Sequence, residues 1–422
     1  MASSRRGALR AGLICTLAGA AALAACARQE PAAQPGSSHA ASSSSAAIPS
    51  SAAIPSLDGL PAVQYSPSSP PPAWPGAAGQ ALPYPVLIAD RGNNRMIEVT
   101  PNKQIIWQYP APGSGVTSST FAYDDDAFFT PSGRSVITNE EDRSAISVVS
   151  YYSRTQTWSY GQFGTAGYYN NHLNYPDDAY RLPSGTTMTA DIRNCRELFI
   201  SPQGQIIAQW GINQQPWLHY CATNIGATAQ TSLLGYPNGD TPQPNGDVLM
   251  SVINGNWIVL FSPTGKTLWK IQAPDIPNNG CQYVSDAQLL SDGNVLVADY
   301  AGPTQNSAGC PPVPGQVIIF NPQTGQVVWR YDVASGNGEL DHPSLAEQLP
   351  NGNIILNDDY NDRVVVIDPK TNTIVWQYGV TAQTGTAPGY LNTPDGFSVD
   401  YFRNWYGWLQ SHPVAPVPSS SG

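Results

Sequence analysis

The sequence predicts an all-β protein, a six-bladed β-propeller with four antiparallel strands per blade, whose ring is closed by one C-terminal and three N-terminal strands. Three observations predict it. Four short β-rich runs recur as one unit, a tryptophan stands near the end of each of six units, and the first unit lacks an opening strand that reappears after the sixth.

The unit is clearest in its fifth copy. Tyr283-Val-Ser-Asp-Ala287 opens it, and Gln288-Leu-Leu-Ser-Asp-Gly293 turns into Asn294-Val-Leu-Val-Ala-Asp299. After a loop come Gln316-Val-Ile-Ile-Phe-Asn321, a Pro-Gln-Thr-Gly325 turn and Gln326-Val-Val-Trp-Arg-Tyr331. β-branched and aromatic runs punctuated by Asn, Pro and Gly are strands joined by tight turns.

The copies align. Ten residues before the first-turn glycines Gly133, Gly185, Gly246, Gly293 and Gly352 stand Tyr123, Tyr175, Tyr236, Tyr283 and His342, an aromatic ring each time. The closing tryptophans are Trp107, Trp158, Trp210, Trp269, Trp329 and Trp376. A period near 50 residues with four strands per unit is the signature of a propeller. Val86-Leu-Ile-Ala-Asp90 already matches a second strand, while Thr393-Pro-Asp-Gly-Phe-Ser-Val-Asp400 matches a first strand. Joining the two leaves no open sheet edge between the chain ends.

Around this ring the sequence divides into residues 1–25, a signal peptide; 26–82, a lipidated cysteine and Ala/Ser/Pro tether; 83–408, the propeller; and 409–422, a tail. Arg5, Arg6 and Arg10 precede an uncharged stretch from Ala11 to Ala25 that is shorter than the roughly 20 residues a bilayer helix needs. Leu23-Ala24-Ala25-Cys26 resembles the lipobox of bacterial lipoproteins, which implies a lipid on Cys26 and an extracytoplasmic protein anchored to a bacterial membrane. Residues 4–10 also resemble a twin-arginine signal, with Ala8 where a large apolar residue is usual, so both export routes stay open. The tether has too few large apolar residues to fold and would span roughly 40 Å as a coil.

Without the three signal arginines the chain carries 16 Lys+Arg against 30 Asp+Glu. That surface excludes nucleic acid and leaves the lipid as the one contact with a membrane. Cys195, Cys221, Cys281 and Cys310 fit no zinc spacing and are expected as disulfides. Their places in neighbouring loops favour Cys195–Cys221 and Cys281–Cys310, although three pairings exist.

Asn321-Pro-Gln-Thr-Gly-Gln-Val-Val-Trp329 and Asp368-Pro-Lys-Thr-Asn-Thr-Ile-Val-Trp376 resemble the tryptophan-docking repeats of quinoprotein (PQQ) dehydrogenase-type propellers. Val86-Leu-Ile-Ala-Asp-Arg-Gly-Asn-Asn-Arg95 and Asn357-Asp-Asp-Tyr-Asn-Asp-Arg363 resemble NHL-type blades. The globular part as a whole is similar to uncharacterised bacterial PQQ-like repeat lipoproteins. PQQ itself is not expected, because the quinone-binding relatives typically have eight blades and often a vicinal cysteine pair, neither of which is present.

Antiparallel pairing puts the tight turns on one face and the long connections on the other: residues 111–122, 162–174, 212–235, 273–282, 300–315, 332–341 and 380–392. The tether enters at the tight-turn face, so the loop-rich face should point away from the membrane. Long loops on a rigid scaffold are where binding resides.

Carboxylates gather on that face. Asp124, Asp125, Asp126, Asp177, Asp178, Asp286 and Asp395 open first strands, and Asp90, Asp191, Asp299 and Asp358 end second strands. First strands line the channel, so Asp125, Asp126, Asp177, Asp178, Asp286 and Asp395 are candidate ligand-binding residues, with Asp126, Asp178 and Asp286 a candidate set for Ca²⁺. The plainer role for each is acceptance of backbone N–H bonds at a strand entry. His342 joins the candidates because some arylsulfotransferase-like propellers, to which the chain bears a likeness, use a loop histidine as nucleophile; packing beside Pro343 is the alternative.

The function expected is a ligand- or partner-binding or scaffolding module of the cell envelope, with a small molecule, polysaccharide or protein at the loop-rich face. The alternative is a propeller enzyme at the acidic channel mouth, either a metal-dependent hydrolase or lyase or a quinone- or arylsulfate-handling relative. Tyr401, Phe402, Trp405, Tyr406 and Trp408 should plug the opposite, membrane-side end of the channel.

Overall fold

In the computed structural model, residues 72–212, 221–276, 284–303 and 313–401 are described. They form six four-stranded antiparallel sheets and no α-helix. The first sheet joins Pro394–Val399 to Val86–Asp90, Arg95–Val99 and Ile105–Tyr109, so the ring closes with one C-terminal and three N-terminal strands. The first strands of blades two to six are Asp124–Phe129, Pro176–Arg181, Pro237–Pro242, Val284–Leu289 and Ala346–Gln348. They face one another around the central channel.

Burial follows position in the blade. Second strands such as Val86–Asp90 and Val295–Asp299 are buried at every residue, because a neighbouring blade covers each face. They therefore read as unbroken apolar runs. A rim strand such as Thr267–Gln272 alternates half-buried and exposed residues, because one of its faces meets water.

Four of the six repeated tryptophans hydrogen-bond to the next blade. Trp107 Nε1 donates to Tyr151 O (2.7 Å), Trp158 Nε1 to Pro202 O (3.0 Å) and Trp329 Nε1 to Asn372 Oδ1 (2.8 Å). Trp376 of the last blade donates to Pro101 O of the first (2.9 Å), which latches the closed ring.

A second device recurs where strand two ends. In Asp90-x-x-Asn93-x-Arg95, Asp191-x-x-Asn194-x-Arg196 and Asp358-x-x-Asn361-x-Arg363, a three-residue turn and one left-handed residue bring the arginine back onto the aspartate. The Nε–Oδ2 distances are 2.6, 2.7 and 2.7 Å. The asparagine donates to the same carboxylate, whose other oxygen accepts the backbone N–H of Asn392, Asn174 or Asp341. Asp90, Asp191 and Asp358 are thus structural clamps that hold the loop entering their own blade. Asp299 is bonded by Gln316 Nε2 at 3.0 Å.

The tether boundary needs correction. The sequence places the tether up to residue 82, yet Trp74, Ala77 and Leu82 are buried, with Trp74 and Ala77 packed on Ile106 of the first blade's rim strand. The amides of Asn351 and Asn353, on a tight turn of blade six, donate to Gln80 O and Ala81 O. This strap enters the ring on the tight-turn face. Tyr401 reaches the same end of the channel, where its hydroxyl donates to Glu347 Oε1 (2.7 Å) and its ring meets Tyr84 edge-on. Phe402, Trp405, Tyr406, Trp408, the signal peptide, Cys26 and most of the tether lie outside the described residues.

Candidate functional site: the acidic mouth of the channel

Five of the six first strands start with a β-bulge. Register shifts fall between Asp124 and Ala127, Asp177 and Ala179, Pro237 and Asp240, and Val284 and Ala287, with an equivalent shift against the strand of Asp395. A bulge sets two residues against one and re-aims a side chain. Consecutive aspartates that a regular pleat would send to opposite faces therefore converge on the channel. Asn139, Ser251 and Asn357 on the facing second strands accept the bulge N–H groups of Asp126, Gly239 and Leu345 (3.3, 2.8 and 2.9 Å). The same side chains reach the next blade, at Pro176 O, Ser285 O and Asp395 O.

The residue that leads into the first strand is left-handed in five blades, with φ of 58° at Tyr123, 57° at Tyr175 and Tyr236, 59° at His342 and 48° at Thr393. That is an uncommon conformation for any residue but glycine, and for β-branched threonine it is an outlier. Hydrogen bonds from the preceding blade hold two of them, Asn94 Oδ1 accepting from Tyr123 N and Asp362 Oδ1 from Thr393 N, each at 3.0 Å.

The carboxylates divide into two halves. On one side Arg91, from the turn after the first blade's second strand, presents Nε to Asp125 (3.0 Å), Nη1 to Asp395 (3.1 Å), and Nη2 to Glu141 (2.6 Å) and Asp142 (3.2 Å). On the other side Asp126, Asp177 and Asp178 each offer an oxygen within 4.8 Å of the others. Among the described residues no lysine or arginine pairs with Asp126, Asp177, Asp178 or Asp286. Asp177 accepts from Asn238 Nδ2, Asp178 from Asp240 N (3.1 Å) and Asp286 from Ala287 N (2.5 Å).

Burial, then the crowd of like charges, pushes Asp125, Asp126, Asp177 and Asp178 well above the ordinary carboxylate range. Burial raises Asp286 to about 7 against the pull of its backbone hydrogen bond. Glu141 stands at about 7, raised by burial in spite of Arg91.

Of the candidates expected from sequence, Asp125, Asp126, Asp177, Asp178, Asp286 and Asp395 all stand at the mouth. Two trios come within 4.8 Å, Asp125 with Glu141 and Asp177, and Asp126 with Asp177 and Asp178, so Asp177 joins the two halves of the mouth and Asp286 lies outside both trios. His342 stands apart from them. Its Nδ1 meets Asp341 Oδ1 at 2.6 Å and its ring lies 4.8 Å from Tyr300 and 4.2 Å from Tyr360.

Sequence reasoning missed Arg91 and Glu141. The signal was available: the residue after strand two is Arg91, Glu141, Ile192, Ile253, Tyr300 and Asp359 in the six blades, and only one is basic.

Cys195 and Cys221 come together as a disulfide-distance pair with Cα atoms 5.9 Å apart, bridging loops on the same face. Cys281 and Cys310 lie outside the described residues.

A family model of PQQ-like repeats, described as outer membrane protein assembly factor BamB, matches residues 226–348 and 315–393, which are blades four to six. The chain is a six-bladed β-propeller whose blades four to six match PQQ-like repeats. The tryptophan docking of Trp329 and Trp376 falls inside the matched part, and Trp107 and Trp158 repeat it outside that part. No curated protein matches the sequence. Similar solved structures include a protein of unknown function from Bacteroides caccae, 15% identical with a TM-score of 0.47, covering 75% of this chain and 98% of that one. Hydrazine synthase of Kuenenia stuttgartiensis is 13% identical with a TM-score of 0.43, covering 69% and 75%. A streptogramin B lyase is 15% identical with a TM-score of 0.44, covering 75% and 83%.

Proposed function

We propose that this PQQ-like propeller is a binding module of the bacterial cell envelope, exported, held to a membrane by a lipid on Cys26, and presenting the acidic mouth of its channel to a ligand. One observation carries the reading. Half of the mouth's carboxylates are matched by the chain's own Arg91, and the other half, Asp126, Asp177, Asp178 and Asp286, have no cation among the described residues. Buried like charges without a counter-charge are costly to hold in a fold, and they are kept where a ligand supplies the missing charge.

The chain's path supports the orientation. The Trp74–Leu82 segment meets the tight-turn face, where Asn351 and Asn353 bind it, while the bulges and long loops stand on the other face. A lipid upstream of that strap turns the acidic mouth away from the bilayer. No helix among the described residues is long and apolar enough to cross a membrane.

Native mass spectrometry of the full chain, extracted from its host's envelope in mild detergent, tests this. We expect a Cys26-linked lipid and a bound mass that disappears in Asp126→Asn and in Asp178→Asn. A chain that carries neither lipid nor bound mass overturns the reading.

A further inference from the structure

We infer that the open half of the mouth binds an organic cation, a primary ammonium or guanidinium group, between Asp126, Asp177, Asp178 and Asp286. The alkyl part of the ligand lies toward the stacked rings of Phe128 and Tyr180. The inference rests on the binding role proposed above and names the class of ligand.

The mouth already holds one such group. Arg91 spreads its three nitrogens over Asp125, Asp395, Glu141 and Asp142, one contact to each, so the mouth's carboxylates already surround a guanidinium. Asp126 is the counterpart that Arg91 does not reach. It is 6% exposed, and no N–H or cation among the described residues meets its carboxylate, whose hydrogen-bond partners are the carboxyl groups of Asp177 and Asp178. It is aimed across Gly396 at the channel, since Oδ1 occupies the space where a Cβ at that position would stand. Asp286 lies over Gly239 in the same way. The equivalent position around the ring thus reads Asp126, Asp178, Gly239, Asp286, Leu345, Gly396, three acids, one leucine and two glycines that leave room for Asp286 and Asp126.

The next layer distinguishes an organic cation from a bare ion. Two residues deeper along their strands, Phe128 and Tyr180 stack with ring centroids 4.3 Å apart at 15°. Tyr180 is near enough to Asp126, Asp178 and Asp286 for their charge to add to the burial that pushes its hydroxyl far above the usual range. Aromatic faces beneath carboxylates suit a positive group with an apolar stem. A hard metal ion needs six to eight oxygens at about 2.4 Å, whereas both oxygens of Asp177 and one of Asp178 are already engaged by protein N–H groups. Four buried carboxylates that cannot all ionise together will exchange protons for an entering cation.

Titration calorimetry on the full chain in detergent, at pH 7.5 and low salt, tests the inference with agmatine, spermidine, an acetyl-Gly-Arg-Gly-amide peptide and Ca²⁺ as separate probes. We expect agmatine or spermidine to bind one per chain, with a heat that changes with the ionisation enthalpy of the buffer because protons are released. Affinity should fall at least tenfold in Asp126→Asn and in Asp178→Asn and stay unchanged in Asp332→Asn on the exposed rim. Peptide binding as tight as agmatine assigns the site to a polypeptide side chain, and peptide exclusion assigns it to a free amine; both uphold the class. The buffer dependence needs no variant and serves if the substitutions fail to fold. The inference falls if none of the amines or guanidinium probes binds, if the two aspartate variants bind them as wild type does, or if Ca²⁺ alone binds. A host-derived mass lost in Asp126→Asn, with no amine binding, would sink the inference and leave the binding role standing.

Discussion

The carboxylate of Asp126, in the second blade, fills the space above the Cα of Gly396 in the first. The two residues open neighbouring first strands, so a side chain on one is possible only because the other has none. Gly396→Ala forces Asp126 to move or the strands to part. We expect a loss of about 1–3 kcal/mol, the usual range for overpacking, together with weaker amine binding. Denaturant unfolding and calorimetry on the same variant check both effects, and unchanged binding would show that Asp126 is not a ligand contact.

Arg91 is held by four carboxylates with its side chain 18% exposed. Arg91→Gln leaves them without a counter-charge, and we expect about 3 kcal/mol of destabilisation at pH 8, the cost of breaking a largely buried pair. The loss should shrink at pH 5.5, where Asp125 and Glu141, both raised by burial, hold protons. Added methylguanidinium should restore part of the melting temperature in the variant and leave wild type unmoved.

Burial raises Glu140 and Asp286 to about 7 and Glu197 to about 8. Their folded values lie above their unfolded ones, so between these limits the native state holds more protons. Their contribution to stability is fully present below about pH 4 and is lost as pH rises through 7 and 8. The melting temperature should therefore fall from pH 5.5 to pH 8.5. Glu140 is 1% exposed and accepts from Ser147 Oγ at 2.5 Å, a bond an amide oxygen can also accept. Glu140→Gln should flatten the profile and stabilise the ring at pH 8.5 by up to about 3 kcal/mol. A profile as steep as wild type would refute that assignment.

Trp376→Phe removes the Nε1–H that ties the last blade to Pro101 of the first. We expect a loss of about 1 kcal/mol beyond the packing change, with faster unfolding, because that bond closes the ring. Trp158→Phe, which removes the bond to Pro202 O between blades two and three, is the internal comparison. Stopped-flow unfolding reads both.

The blades, the split first sheet and the acidic face were legible because each leaves a periodic trace. Trp376 and Trp107 mark blade ends, Thr393–Asp400 completes a strand set, and Asp126 and Asp178 crowd one position of the repeat. What was hidden depends on distances between blades. Arg91 lies 304 residues from Asp395, and nothing local couples them. Tyr123 and His342 showed as an aromatic slot, while the left-handed backbone that the slot requires leaves no composition signal. Asp90, Asp191 and Asp358 looked like members of the acidic ring until Arg95, Arg196 and Arg363 were seen folded back on them. Trp74 sat in a Pro- and Ala-rich run that reads as tether, and only its contact with Ile106 shows otherwise.

The central claim is that the uncompensated carboxylates of the mouth bind a positively charged organic group. The most direct measurement is a structure of the protein at neutral pH with agmatine. The account predicts the guanidinium or ammonium end between Asp126, Asp177 and Asp178, with the methylene chain over Phe128 and Tyr180. A mouth that stays empty at saturating agmatine, or holds a metal ion in its place, would contradict it.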